Sequence, residues 1–512
     1  MVRFGRPGRL RTDWGEPVVL AVALITRLWV VLGDGGFGGN FYYDPAVYYA
    51  AGDALTHGRL PYADYVLIHP PVIALVNAPL ALLGRLTTDH VGFMVGNAAY
   101  TVLAAVNAVL VVRVAQAFGA NRRAALVAGA FYAVWIGAVT AEFLIRLEPL
   151  GNFVLLLALL ALAAARRRRH PAAAVVCGAL FGTLLSVKIW WVVPVAIVLV
   201  WQVVGERARR RAGWMLVGLA GAALSINGPF FVAAGGRMYR AIVTAQLDRA
   251  SNGVPVHARV DKLSALSQAY GGRFNADTVA DRPAVQVLVV LFVALVLAAS
   301  ALALRTAAGR VVVAILAAET VVFLTTPTWF YTYCDYLAVP LALTMAAAAT
   351  PAGTARMPLR RAGPAVAGAL AVFAAITTAA TFANGGLHLV PSTTGTSAAA
   401  ADVKHVDCIV SDTPMALILL NSLDRSVQDG CRNWVDLTGV EHGGGPDPRD
   451  EVTRGHRNPR WSADLCRYLT SGDAVVIVTS GSWHSLPAAC ADRIRRAPVI
   501  ARAGELVVHR LR

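Results

Sequence analysis

The chain has 512 residues, 57% of them hydrophobic and 15% charged, with a mean hydropathy of +0.57. That composition excludes a soluble globular protein, and repeated apolar runs of roughly 16–22 residues make it a polytopic helical membrane protein. The net charge of +16 is no nucleic-acid signature: from residue 385 onward 14 basic residues face 14 acidic ones, so the whole excess lies in the membrane half, as short arginine clusters between apolar runs.

In chain order, Arg3, Arg6, Arg9 and Arg11 precede the first apolar run, 17–32, and place the N-terminus in the cytoplasm. No small-residue cleavage site closes that run, so no cleavable signal peptide is read. A polar stretch follows, Asn40-Phe-Tyr-Tyr-Asp-Pro-Ala-Val-Tyr-Tyr, continuing through Gly58-Arg-Leu-Pro-Tyr62 to His69-Pro-Pro71. Tyrosines beside a lone acid, Asp44, suit carbohydrate: aromatic faces cover sugar C–H surface, phenols bond hydroxyls, and a carboxylate takes a proton. An interfacial aromatic belt with one solvated aspartate is the alternative. Tyr48, four residues beyond Asp44, shares its helix face, whereas Asp53, nine beyond, falls on the opposite one.

The short apolar run 71–83 decides the topology. If it crossed, arginines 166–169 would lie outside; as a juxtamembrane helix on the outer surface it leaves them inside. Eleven spans then alternate: 17–32, 91–112, 124–140, 150–165, 171–187, 189–204, 214–234, 283–304, 311–326, 335–350 and 364–383. Residues 1–384 thus form a membrane domain, 385–402 a Gly/Ser/Thr/Ala-rich linker, and 403–512 a small extracytoplasmic α/β domain. Its strands are read at 406–410, 474–479, 499–502 and 506–510, and its helices at 414–421, 462–470 and 487–496. Cys408, Cys431, Cys466 and Cys490 fall in this domain, and an even count in an oxidising compartment suggests two disulfides. Zinc is the alternative, without the short Cys-x-x-Cys spacing it favours. Cys177 and Cys334 are read as free thiols.

Most out-of-place polar residues gather on the outer face: Asp44, His57 and His69, then Glu142, Arg146 and Glu148, then Lys188, Gln246, Arg249 and Lys262, and last Tyr331, Tyr333, Asp335 and Tyr336. A transporter is expected to carry ionisable groups at mid-membrane, where only Arg27 and Glu319 qualify. No phosphate-binding glycine loop occurs, so outer-face chemistry needs an activated donor delivered by the membrane. A polyprenyl-phosphate sugar fits, its phosphate met by Arg146, Lys188 and Arg249. Phosphate leaves without a general acid, so one base suffices, and one prominent aspartate is what the outer loops offer. Contact with lipid head groups is the alternative for the cations, and a local pair with Arg146 for Glu148.

Tyr43-Asp44-x-x-x-Tyr48, Gly58-x-x-Pro-Tyr62 and His69-Pro-Pro71 after an N-terminal span resemble the GT-C membrane glycosyltransferases over roughly residues 1–350. The nearest resemblance is to glycosyltransferase family 87 and its actinobacterial relatives, which use polyprenyl-phosphate mannose or arabinofuranose. The resemblance implies an α-helical polytopic GT-C-like domain and an inverting transfer to a glycan or glycolipid hydroxyl of the cell envelope. It further implies Asp44 as the general base. From the residues themselves, sugar and acceptor contacts are expected from Tyr43, Tyr48, Tyr62, His69, Glu148, Gln246, Tyr331 and Tyr333. Clustered acids, as in the metal-dependent oligosaccharyltransferase branch, are not evident beside Asp44, so no metal or other cofactor is expected. Such enzymes often place a histidine near the last outer loop, where this chain has Tyr331, Tyr333 and Tyr336. The other function classes that fit the chain are a lipid or sugar transporter and a non-catalytic envelope scaffold.

Overall fold

A computed structural model describes residues 14–33, 35–38, 42–168, 170–205, 207–247, 251, 253–266, 283–350, 357–383, 395–443 and 459–512. Among these residues, seven helices are long and apolar enough to cross a membrane: α1 (Gly15–Gly33), α4 (Asp89–Ala117), α7 (Leu147–Arg168), α10 (Arg209–Ala234), Pro283–Ala303, Ala307–Thr325 and Met357–Ala383. The other four expected spans occur as shorter or broken helices. Residues 124–140 divide at Trp135, which is extended, into α5 (Arg122–Val134) and α6 (Ile136–Ala141). α8 is Pro171–Leu185, and α9 (Val192–Val200) lies between a 3-10 turn at Ile189–Trp191 and a π-helix at Trp201–Gly205. The last begins as a 3-10 turn, Tyr331–Leu337, and becomes α-helical at Ala338–Ala348.

Local chemistry sets several helix starts. Thr88 caps α4 through Val91 N (3.1 Å), Asn121 caps α5 through Ala124 N (3.0 Å), and Pro171, which has no N–H to leave unpaired, opens α8. Between spans, small residues allow close approach. A Cβ on Gly178 of α8 would stand 1.8 Å from Met215 O of α10, and one on Gly218 of α10 2.0 Å from Val175 O. Where lipid tails are as apolar as the side chains, such backbone contact holds helices together.

Arginines near the ends of α4 and α7 collect at one end of the bundle. Arg167 donates to Ala117 O at 2.7 Å, Arg166 stacks over Trp201, and Arg113 pairs with Glu16 at 2.9 Å. α4 and α7 run from that end to the other, roughly 30–45 Å at 1.5 Å per residue. At the far end lie α2 (Tyr43–Thr56) and α3 (Val72–Leu86). Both termini of α3 stay there: Val72 N donates to Ser186 O, and Arg85 reaches Asp424 of the C-terminal domain. α3 is therefore a surface helix, as the arginine pattern requires.

The C-terminal domain carries a four-stranded sheet in the order β1-β2-β4-β3, from β1 (Ile409–Ser411), β2 (Ala474–Val476), β3 (Val499–Ala503) and β4 (Leu506–Arg510). β1 pairs with β2 in parallel, Ile409 opposite Ala474; the β2–β4 and β3–β4 pairs are antiparallel. Two disulfides, Cys408–Cys431 and Cys466–Cys490, staple it, while Cys177 and Cys334 are buried thiols outside any disulfide. Short helices at Leu423–Gln428, Leu437–Gly443 and Ser480–Ser485 add to those expected, and Thr396–Asp402, within the stretch read as linker, is helical.

α2 and α3 touch backbone to backbone at Gly52, where an added Cβ would lie 2.6 Å from Asn77 C and 2.8 Å from Ala78 N. Gly52→Ala must push the helices apart. The expected cost, about 1–3 kcal/mol, is that of overpacking and reads as a lowered thermal midpoint of the purified protein. An unshifted midpoint would show that the pair is not close-packed.

A polar cavity between the bundle and the C-terminal domain

The cavity that gathers the outer-face residues has a volume of about 360 Å³. α2 supplies Tyr43, Asp44 and Tyr48 from its first turns, with Tyr42 just before it. Asp44 is exposed, in the first turn of its helix, where the helix dipole favours a carboxylate. His69, from the loop into α3, completes this side, its ring meeting Tyr48 edge-on at 5.6 Å.

The second wall depends on 142–146, a buried non-helical stretch. Its backbone is held by α4: Asn97 Oδ1 accepts from Ile145 N at 3.1 Å and Thr101 donates to Phe143 O at 2.9 Å. Glu142 points away from the cavity, ion-paired to Arg27 at 2.7 Å and bonded by Tyr132 at 2.6 Å. Arg146 then projects into the cavity, donating to the Tyr331 hydroxyl and lying 5.3 Å from the Tyr42 ring centroid and 4.9 Å from that of Tyr331. Its Nε has no hydrogen-bond partner among the described residues, which leaves a donor to spare.

Lys188 sits before the Ile189–Trp191 turn, 5% exposed, with Nζ 3.3 Å from Glu148 Oε1 and 5.1 and 5.3 Å from the Tyr333 and Tyr336 rings. Thr332 also donates to Glu148, at 3.2 Å. The sequence leaves Glu148 between a site role and a pair with Arg146; it lines the cavity and pairs with Lys188. Gln246 lines the cavity as well, its amide donating to Ile68 O at 3.0 Å.

Electrostatics separates these groups. Burial raises the Tyr48 phenol well above the ordinary tyrosine range, and Asp44, Glu148 and Asp436 push it further. Tyr331 is also raised, by burial first, with Arg146 opposing. Burial by itself would lower Arg146, but Tyr331, Asp44 and Glu148 outweigh it and the guanidinium is held more firmly charged. The Tyr48 and Tyr331 phenols thus stay neutral and the Arg146 guanidinium charged at neutral pH, beside Asp44.

Asp44, Arg146, Lys188, Tyr43, Tyr48, His69, Glu148, Gln246, Tyr331 and Tyr333 all line this one cavity. Two expected site residues do not join them. Tyr62, in a left-handed backbone conformation (φ 67°), turns inward and donates to His69 O, so it braces the loop rather than meeting a ligand. Arg249 lies outside the described residues. The sequence reading missed Asp436 and Thr438 of the C-terminal domain, which close the cavity: Tyr43 donates to Asp436 Oδ1 at 3.0 Å and accepts from Thr438 N at 2.8 Å. Nothing local marks Asp436, one acid among 14 in a neutral domain. A second cleft, of about 60 Å³ near the arginine end, is lined by Phe118, Leu162, Trp201 and Ile315, with Thr306 and Thr350 among mostly apolar side chains.

No family model matches the chain, and no curated protein does. Solved structures match it in fold. ArnT from Cupriavidus metallidurans, bound to undecaprenyl phosphate, has a TM-score of 0.59 at 15% identity, over 97% of this chain and 98% of that one. The archaeal oligosaccharyltransferase AglB from Archaeoglobus fulgidus, in complex with an inhibitory peptide and a dolichol-phosphate, has a TM-score of 0.54 at 13% identity, over 93% and 71%. The chain therefore has the GT-C membrane fold expected from its sequence, with the small α/β domain at its C-terminus.

The buried Lys188–Glu148 pair makes a checkable demand. Glu148→Gln strands a buried ammonium, which costs about 3–5 kcal/mol when a buried pair loses one partner. The double variant Glu148→Gln/Lys188→Met should regain most of that stability. Additive losses in thermal midpoint across the two single variants and the double would mean that the groups do not interact.

Proposed function

We propose that the protein is a glycosyltransferase that moves mannose or arabinofuranose from a polyprenyl phosphate to a hydroxyl of a glycan or glycolipid on the outer membrane face. The observation that supports this most is the convergence of Asp44, Arg146 and Lys188 on one cavity at the end of the bundle away from the arginine clusters. Assignment to glycosyltransferase family 87, within the GT-C fold, rests on the tyrosine–aspartate loop around Asp44. ArnT and AglB lend support as solved structures of like fold, each carrying a lipid phosphate.

In this reading the acceptor hydroxyl attacks the anomeric carbon from the face opposite the phosphate and the configuration inverts. Asp44 takes the hydroxyl proton as the new C–O bond forms. The bond between the anomeric carbon and the phosphate oxygen breaks, and polyprenyl phosphate leaves with the electron pair. Arg146 and Lys188 hold the phosphate: Lys188 has three N–H groups and gives one to Glu148, and Arg146 has a spare Nε–H. Tyr43, Tyr48, His69, Gln246, Tyr331 and Tyr333 contact the sugar and the acceptor, and Arg249 is a third cation for the phosphate. The transfer uses no metal or other cofactor. Asp436 and Thr438 bring the C-terminal domain to the cavity beside Tyr43, where an acceptor glycan enters. The N-terminus lies in the cytoplasm and the C-terminal domain outside, on the arginine pattern.

The experiment is turnover and donor binding by purified protein in nanodiscs, with polyprenyl-phosphate mannose and arabinofuranose tried separately. Asp44→Asn keeps the shape and removes the base, so kcat falls by roughly 10²–10⁴-fold while donor affinity holds. Lys188→Ala weakens donor binding about ten- to a hundredfold, the loss of one charge-assisted contact. Undiminished turnover by Asp44→Asn would overturn the assignment and return the tyrosine loop to an interfacial belt. Asp436→Ala should raise the acceptor KM and leave donor hydrolysis unchanged; an unaltered KM would remove the C-terminal domain from acceptor binding.

A further inference from the structure

The other end of α2 meets the C-terminal domain through a compact polar cluster that takes no part in the cavity. His57, which closes α2, has Nε2 2.8 Å from Asp424 Oδ1 and 3.9 Å from Asp53 Oδ1. Asp53 and His57 stand four residues apart and so share a face of the helix. Asp424 comes from the first turn of Leu423–Gln428, and one potential ligand atom from each of Asp53, His57 and Asp424 lies within 4.8 Å of the other two.

The cluster is preassembled. Asp89 accepts from Leu423 N at 2.8 Å and its own N–H donates to Asn421 at 2.7 Å, which fixes the turn that presents Asp424. Arg85 bonds Asp424 Oδ1 at 3.0 Å and Thr56 at 2.7 Å, so the guanidinium braces Asp424 from the side. Asp53 is 1% exposed, yet its Oδ2 accepts no hydrogen bond among the described residues. Three carboxylates, from Asp53, Asp89 and Asp424, thus face one imidazole and two guanidiniums, Arg85 beside Asp53 and Asp424 and Arg425 on the Asp89 side. A buried carboxylate beside a second carboxylate is stabilised either by a proton shared between them or by a cation that both ligate.

The spacing is compatible with a small ion. A tetrahedral ion with bonds of about 2.0–2.2 Å sets its ligands about 3.3–3.6 Å apart, so to admit one His57 Nε2 must move slightly away from Asp424, 2.8 Å away, and slightly toward Asp53, 3.9 Å away. Calcium and magnesium take oxygen ligands almost alone, whereas imidazole with carboxylates suits zinc. We propose that Asp53, His57 and Asp424 bind a zinc ion that staples the C-terminal domain to α2, with Arg85 holding Asp424 from the outer shell. The ion is structural. Asp44 lies nine residues back along α2, about 13 Å at 1.5 Å per residue, so the staple fixes the lid of the cavity without entering it.

The test uses the full chain in nanodiscs, stripped with a chelator, re-exposed to micromolar zinc and gel-filtered before elemental analysis. The wild type should retain one zinc per chain and show a thermal midpoint raised by several degrees, reversed by the chelator. His57→Gln and Asp424→Asn should each lose both the zinc and the shift. If Asp424→Asn does not fold, His57→Gln, at a half-buried helix end, decides alone, with monodispersity as the check on folding. Zinc retention by His57→Gln equal to that of the wild type overturns the site, and so does a wild type that retains none.

Discussion

A non-helical stretch of backbone in an apolar bundle must have its polar groups satisfied from within, and the site depends on how this is done for residues 142–146. Asn97 and Thr101, one helical turn apart on α4, take the Ile145 N–H and give a hydrogen to the Phe143 carbonyl. Glu142 is neutralised by Arg27 from α1 and bonded by Tyr132 from α5. Three helices thus hold the stretch that begins at this carboxylate, and the guanidinium that ends it has one place to go. Arg146 is held between Tyr42 and Tyr331 because the backbone before it cannot move.

The opposite wall is built differently. α2 and α3 lie on the surface, packed through Gly52 and against α4, and the C-terminal domain closes over them. That closure is polar at both ends of α2. Tyr43 meets Asp436 and Thr438 at the cavity end, and His57 and Arg85 meet Asp424 at the other. A wall made of hydrogen bonds and charge pairs, next to one made of a buried loop, gives a cavity with one rigid side and one that a bound molecule or ion can stabilise.

Much of this was legible because it is local. Apolar run length sets which segments become helices, and the arginines between them mark one end of the bundle, which fixes 71–83 as a surface helix without reference to anything distant. Asp44 among tyrosines stood out because it is a polar island in a greasy chain. Breaks within spans were not legible: the run of apolar residues goes straight through Trp135, and only in the fold does the helix end there and Ile136–Ala141 pack against the Tyr331–Leu337 turn. Tyr62 was read as a ligand contact by its company, and the backbone turned it inward.

The sequence by itself determined the membrane class, most of the helices, the even set of cysteines in the C-terminal domain and the residues worth watching. Each is a property of a short window or of a total. Only the tertiary structure decided the partners: Lys188 with Glu148, 40 residues away, Arg27 with Glu142, Tyr43 with Asp436 across nearly 400 residues, and Cys408 with Cys431 rather than with either other cysteine. The reason is physical. Helix formation and membrane insertion respond to neighbours within a few turns, whereas a charge or hydrogen-bond pair between distant segments exists only once packing has brought them within about 3 Å and excluded water.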